Sequence, residues 1–177
     1  MSRPIAKDHN EKRSHILKIA ARVFADQGYA RASMSQVATA CGISKANIYH
    51  YYNSKDALLF AILNTYLSAL RDRIIGLDLK ELDPSEQLGC IVVETLRSYE
   101  GMDREHKIQI EGIPSLPEHQ QKILKTYQRD LVDQMSGVVA SIAPDVFNGD
   151  PRKLRATVMS IFGMLNWFYM WNSTADH

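Results

Sequence analysis

The sequence predicts an all-α protein. Three observations carry this. Apolar residues recur at three- and four-residue spacing over long stretches, as on one face of a helix. No run of alternating β-branched residues competes as a strand. Capping residues, Gly and Pro fall between the periodic stretches, where helices start and stop.

The elements follow in order. Glu11 to Gln27 sets Ile16, Ile19, Ala20, Val23 and Phe24 on one stripe and stops at Gly28. Ser33-x-x-Gln36 has the form of a capping box and opens a short helix, "SQVATAC", that ends at Gly42. Ser44 caps a third helix from about Lys45 to Tyr51. "NSKD" interrupts, and a long helix follows with Leu58, Leu59, Ile62, Leu63, Tyr66, Leu67, Leu70 and Ile74 on its apolar face. Asp83-Pro84 starts a helix to about Tyr99, and a short one covers Arg104 to Glu111 before Gly112-Ile-Pro114 breaks the chain. Leu116-Pro117 opens a helix to about Ile142, "APDVFNGDP" is a loop, and Pro151 begins the last helix, to about Asn172.

Composition bounds the rest. The 177 residues are 45% apolar and 23% charged, the balance of a folded soluble chain. Cys41 and Cys90 form no CxxC and no pairing pattern, which fits small buried side chains in a reducing cytoplasm. The N-terminus lacks the apolar run of a signal peptide, and Ile161 to Trp171 is too short to span a bilayer, so no membrane role is expected. Net charge is +1 overall, but residues 1–60 hold nine Lys/Arg against four acids (+5) and the remainder twelve against sixteen (−4). A basic head on an acidic body suggests that the head meets a polyanion.

Two short helices joined through a Gly turn form a helix-turn-helix, whose second helix enters the major groove of DNA with its N-terminal residues against base edges. That explains "SKANIYHYYNSK", residues 44–55, with its concentration of polar-tipped rings. Lys45 and Asn47 sit in the first turn of this helix; Asn can read adenine, and Lys can read guanine or hold phosphate. Tyr49, His50 and Tyr52 offer polar tips to phosphate and rings to sugar or thymine methyls, while Ile48 and Tyr51 are expected to face the core. Ser33 and Ser35 mark a helix N-terminus suited to phosphate, Ser44 at the next cap is also an expected DNA contact, and Lys55 can clamp another phosphate.

Residues 28–63, "GYARASMSQVATACGISKANIYHYYNSKDALLFAIL", closely resemble the DNA-binding head of the TetR family of bacterial transcriptional regulators. The order is Gly-aromatic, a Ser pair, Val-Ala, Gly-Ile-Ser, Ile-Tyr-x-aromatic-aromatic and Ser-Lys-Asp-x-Leu. The resemblance implies an N-terminal three-helix helix-turn-helix DNA-binding domain (1–55) and a C-terminal helical ligand-binding and dimerisation domain (56–177). It implies a homodimer on a palindromic double-stranded DNA operator, usually a repressor released by a small-molecule effector. The helix from Asp56 would tilt when the pocket fills and change the spacing of the two heads. The family's DNA contacts fall here on Ser33, Ser35, Lys45, Ala46, Asn47, Tyr49, His50 and Lys55, with Ala46 where many relatives carry Gly.

Past Leu70 the resemblance fades. The last helix is apolar nearly all round, so one face covers the core and the rest must meet a partner or a ligand. Ser160, Gly163, Met164, Trp167 and Trp171 are candidates for a dimer seam. Relatives usually carry one more helix after this one, so the body is expected to be short by a last helix. Leu67, Leu70, Tyr99, Ile108, Tyr127, Met135 and Trp167 are the effector candidates, apolar or ring-bearing and placed between helices. "IEGIPSLPEHQQKIL" with "FGMLNWFYMW" is similar to bodies that answer to acyl-coenzyme A thioesters.

An enzyme is not expected: no Ser-His-acid grouping, HExxH or Gly-rich phosphate loop has a supporting context. Neither is a metal site, since His106 and His119 lie thirteen residues apart and Cys90 stands alone, and no cofactor is implied. The other class in play is a helical interaction protein that keeps the head fold without reading DNA.

Overall fold

The structure, a computed structural model, describes residues 3–172, with side chains described for 9–167. Among the described residues it is helical, with no strand: α1 (Arg3–Gln27), α2 (Met34–Ala40), α3 (Lys45–Tyr51), α4 (Lys55–Ile75), α5 (Pro84–Tyr99), α6 (Asp103–Ser115), α7 (Glu118–Ile142), α8 (Pro144–Phe147) and α9 (Pro151–Asn172). No described helix is long and apolar enough to cross a membrane. The all-α expectation is met, and α2, α3, α5 and α9 match the sequence closely.

Local chemistry sets these boundaries. The Ser33 hydroxyl accepts from the Gln36 amide at 3.2 Å, and the Gln36 side chain accepts from the Ser33 amide at 2.8 Å, a complete capping box. Asp83 and Glu86 repeat the device at α5, with Pro84 in the first turn. Between α2 and α3 the chain reverses at Gly42, whose φ of +68° lies in the left-handed region that side chains disfavour. The Gly42 and Ile43 amides donate to the carbonyls of Thr39 and Ala38, both at 3.0 Å, closing the end of α2.

Three boundaries depart from expectation. α1 begins at Arg3, eight residues before Glu11. A single turn, α8, lies within the expected loop after Ala143. α6 continues through Gly112 and Pro114 instead of breaking there. Pro114 is the penultimate residue of α6, so the hydrogen bond it removes is lost only from the last turn, and the helix ends one residue later. Gly112 is a packing residue: a Cβ there would lie 3.2 Å and 3.5 Å from the methyls of Leu59 and Leu63 on α4.

The chain divides into two compact units. The first comprises Met1–Tyr66 with Arg104–Leu124, the second Leu67–Asp103 with Lys125–His177, so the division falls within α4 after Tyr66 and within α7 after Leu124, and gives α6 from Arg104 onward to the first unit. In the first unit α1 packs on α2 and α2 on α3. Phe24, Val37, Ile48, Leu58, Leu59 and Leu63 are buried there. The Tyr66 hydroxyl lies 3.2 Å from Nδ1 of buried His106 on α6. The second unit has its own apolar cluster, including Leu70, Ile74, Ile91, Tyr99, Met135, Val158 and Leu165. Arg71 donates to Asp130 at 2.9 Å, Arg73 pairs with Glu94, and the Tyr99 hydroxyl donates to Asn166 at 3.0 Å.

Candidate nucleic-acid interface

α3 is held at three points. Ile48 is fully buried, the Ser44 hydroxyl accepts from the Asn47 amide at 3.1 Å, and Tyr52 caps the far end. Everything else on its outer face is left to solvent: Lys45, Ala46, Asn47, Tyr49 and His50 are exposed, as are Ser33, Ser35 and Ser44. Eight of the ten expected DNA contacts therefore lie at the surface of two adjacent helices and their caps. Ser33 and Ser44 already spend a lone pair on a cap, while Lys45 and Asn47 present their side-chain donors at the first turn of α3.

The structure corrects three expectations. Tyr52 is only 5% exposed, and its buried hydroxyl has no described partner, so it does not offer a polar tip to phosphate. Its backbone has left the helix (φ −141°), which turns the ring inward, where the Arg13 guanidinium lies 5.6 Å from its centroid. Tyr51, expected in the core, is instead half-buried between two imidazoles, 5.0 Å from His9 and 5.6 Å from His50. Lys55 is not a free clamp. Its ammonium donates to the carbonyls of Tyr29 (2.9 Å), Ala32 (3.1 Å) and Ala30 (3.3 Å), and it lies 4.4 Å from the Tyr29 ring centroid. An ammonium has three donors, and all are taken.

This tie fixes the loop after α1 to the start of α4. The Tyr29 hydroxyl also donates to Asp56, and burial, with help from that carboxylate, holds the phenol well above its ordinary range. At the end of α2, burial raises the Cys41 thiol, which Arg22 partly offsets.

A cleft of about 730 Å³ opens beside α3, between α1 and α4. Asn10, Arg13 and Ser14 line one wall, Tyr49 to Asn53 the floor, and Phe60, Asn64 and Thr65 the other wall. Sequence reasoning missed His9, Asn10 and Arg13 here: α1 was expected to begin only at Glu11, which left out His9 and Asn10, and Arg13, inside the expected helix, was given no role. Their nearness to Tyr51 and Tyr52, about forty residues on, has no local signal in the sequence.

In the second unit, Leu67, Leu70, Tyr99 and Met135 are buried and Tyr127 is half-buried, whereas Ile108 belongs to the first unit. Burial pushes the Tyr99 phenol up to about 12. None of these residues lines the cleft of about 670 Å³ in that unit, which is bordered by Arg71, Gln87, Asp130, Asp133, Gln134 and Ser141. On α9, Val158 and Leu165 face the core. Ser160, Gly163, Met164 (65% exposed) and Trp167 (60% exposed) share the opposite, open face at helical spacing, while the Trp171 side chain lies outside the described residues. Trp167, expected in both roles, sits on this open face.

Comparison with known proteins bears on the family and the fold. The profile "Bacterial regulatory proteins, tetR family" matches residues 16–62, and "Tetracyclin repressor-like, C-terminal domain" matches 81–175. The HTH-type transcriptional repressor KstR2 of Rhodococcus jostii is 31% identical over 109 residues, 60% of this chain and 52% of that protein. The matched stretches span about half or less of the length of the curated relatives. A TetR-family transcriptional regulator from Bordetella parapertussis superposes with a TM-score of 0.84 at 32% identity, over 90% of this chain and 82% of that one. AibR, solved in complex with isovaleryl coenzyme A and operator DNA, superposes with a TM-score of 0.76 at 26% identity, over 90% and 86%. The chain belongs to the tetR family of bacterial regulatory proteins, helix-turn-helix transcriptional regulators.

Proposed function

We propose that the protein is a homodimeric repressor that binds a two-fold symmetric operator and is released when an apolar effector fills its C-terminal domain. The observation that carries this is the capped recognition helix, with Lys45, Ala46 and Asn47 exposed in its first turn and only Ile48 buried. Such a helix presents base-reading donors without unfolding anything. In functional terms residues 1–55 read DNA, and 56–177 bind effector and partner. The open face of α9, through Ser160, Gly163, Met164 and Trp167, forms the dimer seam, since small residues permit close approach and Met and Trp supply buried area.

The effector is an acyl-coenzyme A thioester. The support is AibR's complex with isovaleryl coenzyme A, together with the apolar interior around Leu67, Leu70, Tyr99 and Met135, which can part to receive an acyl chain. The repressor sense follows the name of the Rhodococcus relative.

Selection of random duplexes on the purified protein at physiological salt tests this reading. A palindrome with half-sites about 34–36 Å apart is expected, with release by acyl-coenzyme A thioesters and none by coenzyme A alone. No enrichment from a folded dimer would leave a helical interaction protein in its place.

A further inference from the structure

The cleft between α1, α3 and α4 has a composition unlike the rest of the chain. Among its described lining residues there is no carboxylate, although the protein carries 20 acids. It offers the guanidinium of Arg13, the imidazole of His50, the amides of Asn10 and Asn53, and the hydroxyl of Tyr49. His9 adds a second imidazole at its edge, tilted against the Tyr51 ring at 5.0 Å. Arg13 is exposed and rests against the Tyr52 ring, with no acidic partner among the described residues, so its N–H fork is open. Donors, one open guanidinium and missing acids describe a seat for an anion.

The position selects the anion. Tyr49 and His50 belong both to the outer face of α3 and to the lining of the cleft. α3 has seven residues, so its far end lies about 10 Å from its first turn. The major groove is about 12 Å wide. With Lys45 and Asn47 against base edges, the C-terminal end of α3 reaches the wall of the groove, which is sugar and phosphate. We propose that the α1–α3–α4 cleft receives the phosphodiester backbone flanking the groove that α3 reads, with Arg13 as its charged contact and His9, Asn10 and Asn53 as supporting donors. This rests on the DNA-reading function proposed above and extends the interface to α1, outside the helix-turn-helix.

The test is a salt titration of binding to the selected duplex by the full-length protein and by Arg13→Gln, Arg13→Lys and Asn10→Asp. Each neutralised phosphate contributes a slope of about −0.9 to log K against log salt. Arg13→Gln is expected to lose about one contact from that slope and to weaken binding several-fold at physiological salt, equally for cognate and random duplexes. Arg13→Lys should restore the slope, and Asn10→Asp, which places a carboxylate in the cleft, should weaken binding further. Retained slope and affinity in Arg13→Gln and Asn10→Asp would overturn the proposal. Weaker binding with the slope unchanged would also overturn it, since Arg13 would then act only by supporting Tyr52. The DNA-reading function fails differently, by a wild type with no preference among duplexes; the slopes on random DNA would still decide whether the cleft holds phosphate.

Discussion

Replacing Lys55 by Met separates two roles that the same residue could play. As a structural tie, its ammonium satisfies the carbonyls of Tyr29 and Ala32, both in part-buried contacts, and that of Ala30 at the surface. Hydrogen bonds to a charged group contribute about 1.5–3 kcal/mol each when buried, and the exposed one contributes little because water replaces it. The Tyr29 ring adds about 0.5 kcal/mol at such a half-exposed position. Discounting the two part-buried bonds for solvent leaves about 2–3 kcal/mol for the whole tie. Lys55→Met is therefore expected to lower the melting temperature by about 5–10 °C for a chain of this size. The salt slope of DNA binding, measured well below the melting temperature, should stay unchanged. Thermal denaturation and the salt titration together are the assay. A stability loss under about 0.5 kcal/mol, with a slope reduced by about 0.9, would refute the tie and restore Lys55 as a phosphate clamp.

Four further outcomes are expected. Gly42→Ala forces a Cβ into a left-handed turn and should cost about 1 kcal/mol in denaturant unfolding, where a gain would show that the turn can rearrange. Gly112→Ala sets a methyl 3.2 Å from Leu59 and should cost about 1–3 kcal/mol, whereas a neutral result would mean that α6 yields easily against α4. Asn47→Ala should cost about 1–3 kcal/mol of operator affinity at one base position, and an unchanged base preference would remove Asn47 from the readout. The Tyr99 phenol is raised from 10.0 to about 12 in the fold, so the neutral form is the one the fold favours. Its contribution is present below the unfolded value and is lost as pH rises from about 10 towards 12. Tyr99→Phe should remove that part of the alkaline stability loss, read by denaturation across that range.

What was legible in the sequence was what local chemistry determines. Ser33, Gln36, Gly42 and Ser44 act within a few residues of themselves, and α2 and α3 lie where those signals put them. Contacts distant along the chain were not legible. Gly112 and Pro114 look like a break until the methyls of Leu59 and Leu63 are seen against the glycine. Lys55 looks like a clamp until the carbonyls of a loop 23 to 26 residues earlier surround it. Tyr51 and Tyr52 exchanged places because helical periodicity stops at Tyr51, and the extended backbone at Tyr52 reverses the direction of the side chain. The charge asymmetry was informative about the head, but only the fold brings His9 and Arg13 beside α3.

The economy with which α3 is anchored has an evolutionary consequence. Ile48 and Tyr52, both buried, and the Ser44 cap hold the helix. Positions 45, 46, 47, 49 and 50 are exposed, so apart from the edge-on contact of His50 with Tyr51 substitutions there meet little packing constraint and should rarely disturb folding. Binding preference and folding stability are thereby written in separate residues of one seven-residue helix. A lineage, or a library randomised at those five sites, can move to new target sequences without first acquiring compensating mutations in the core.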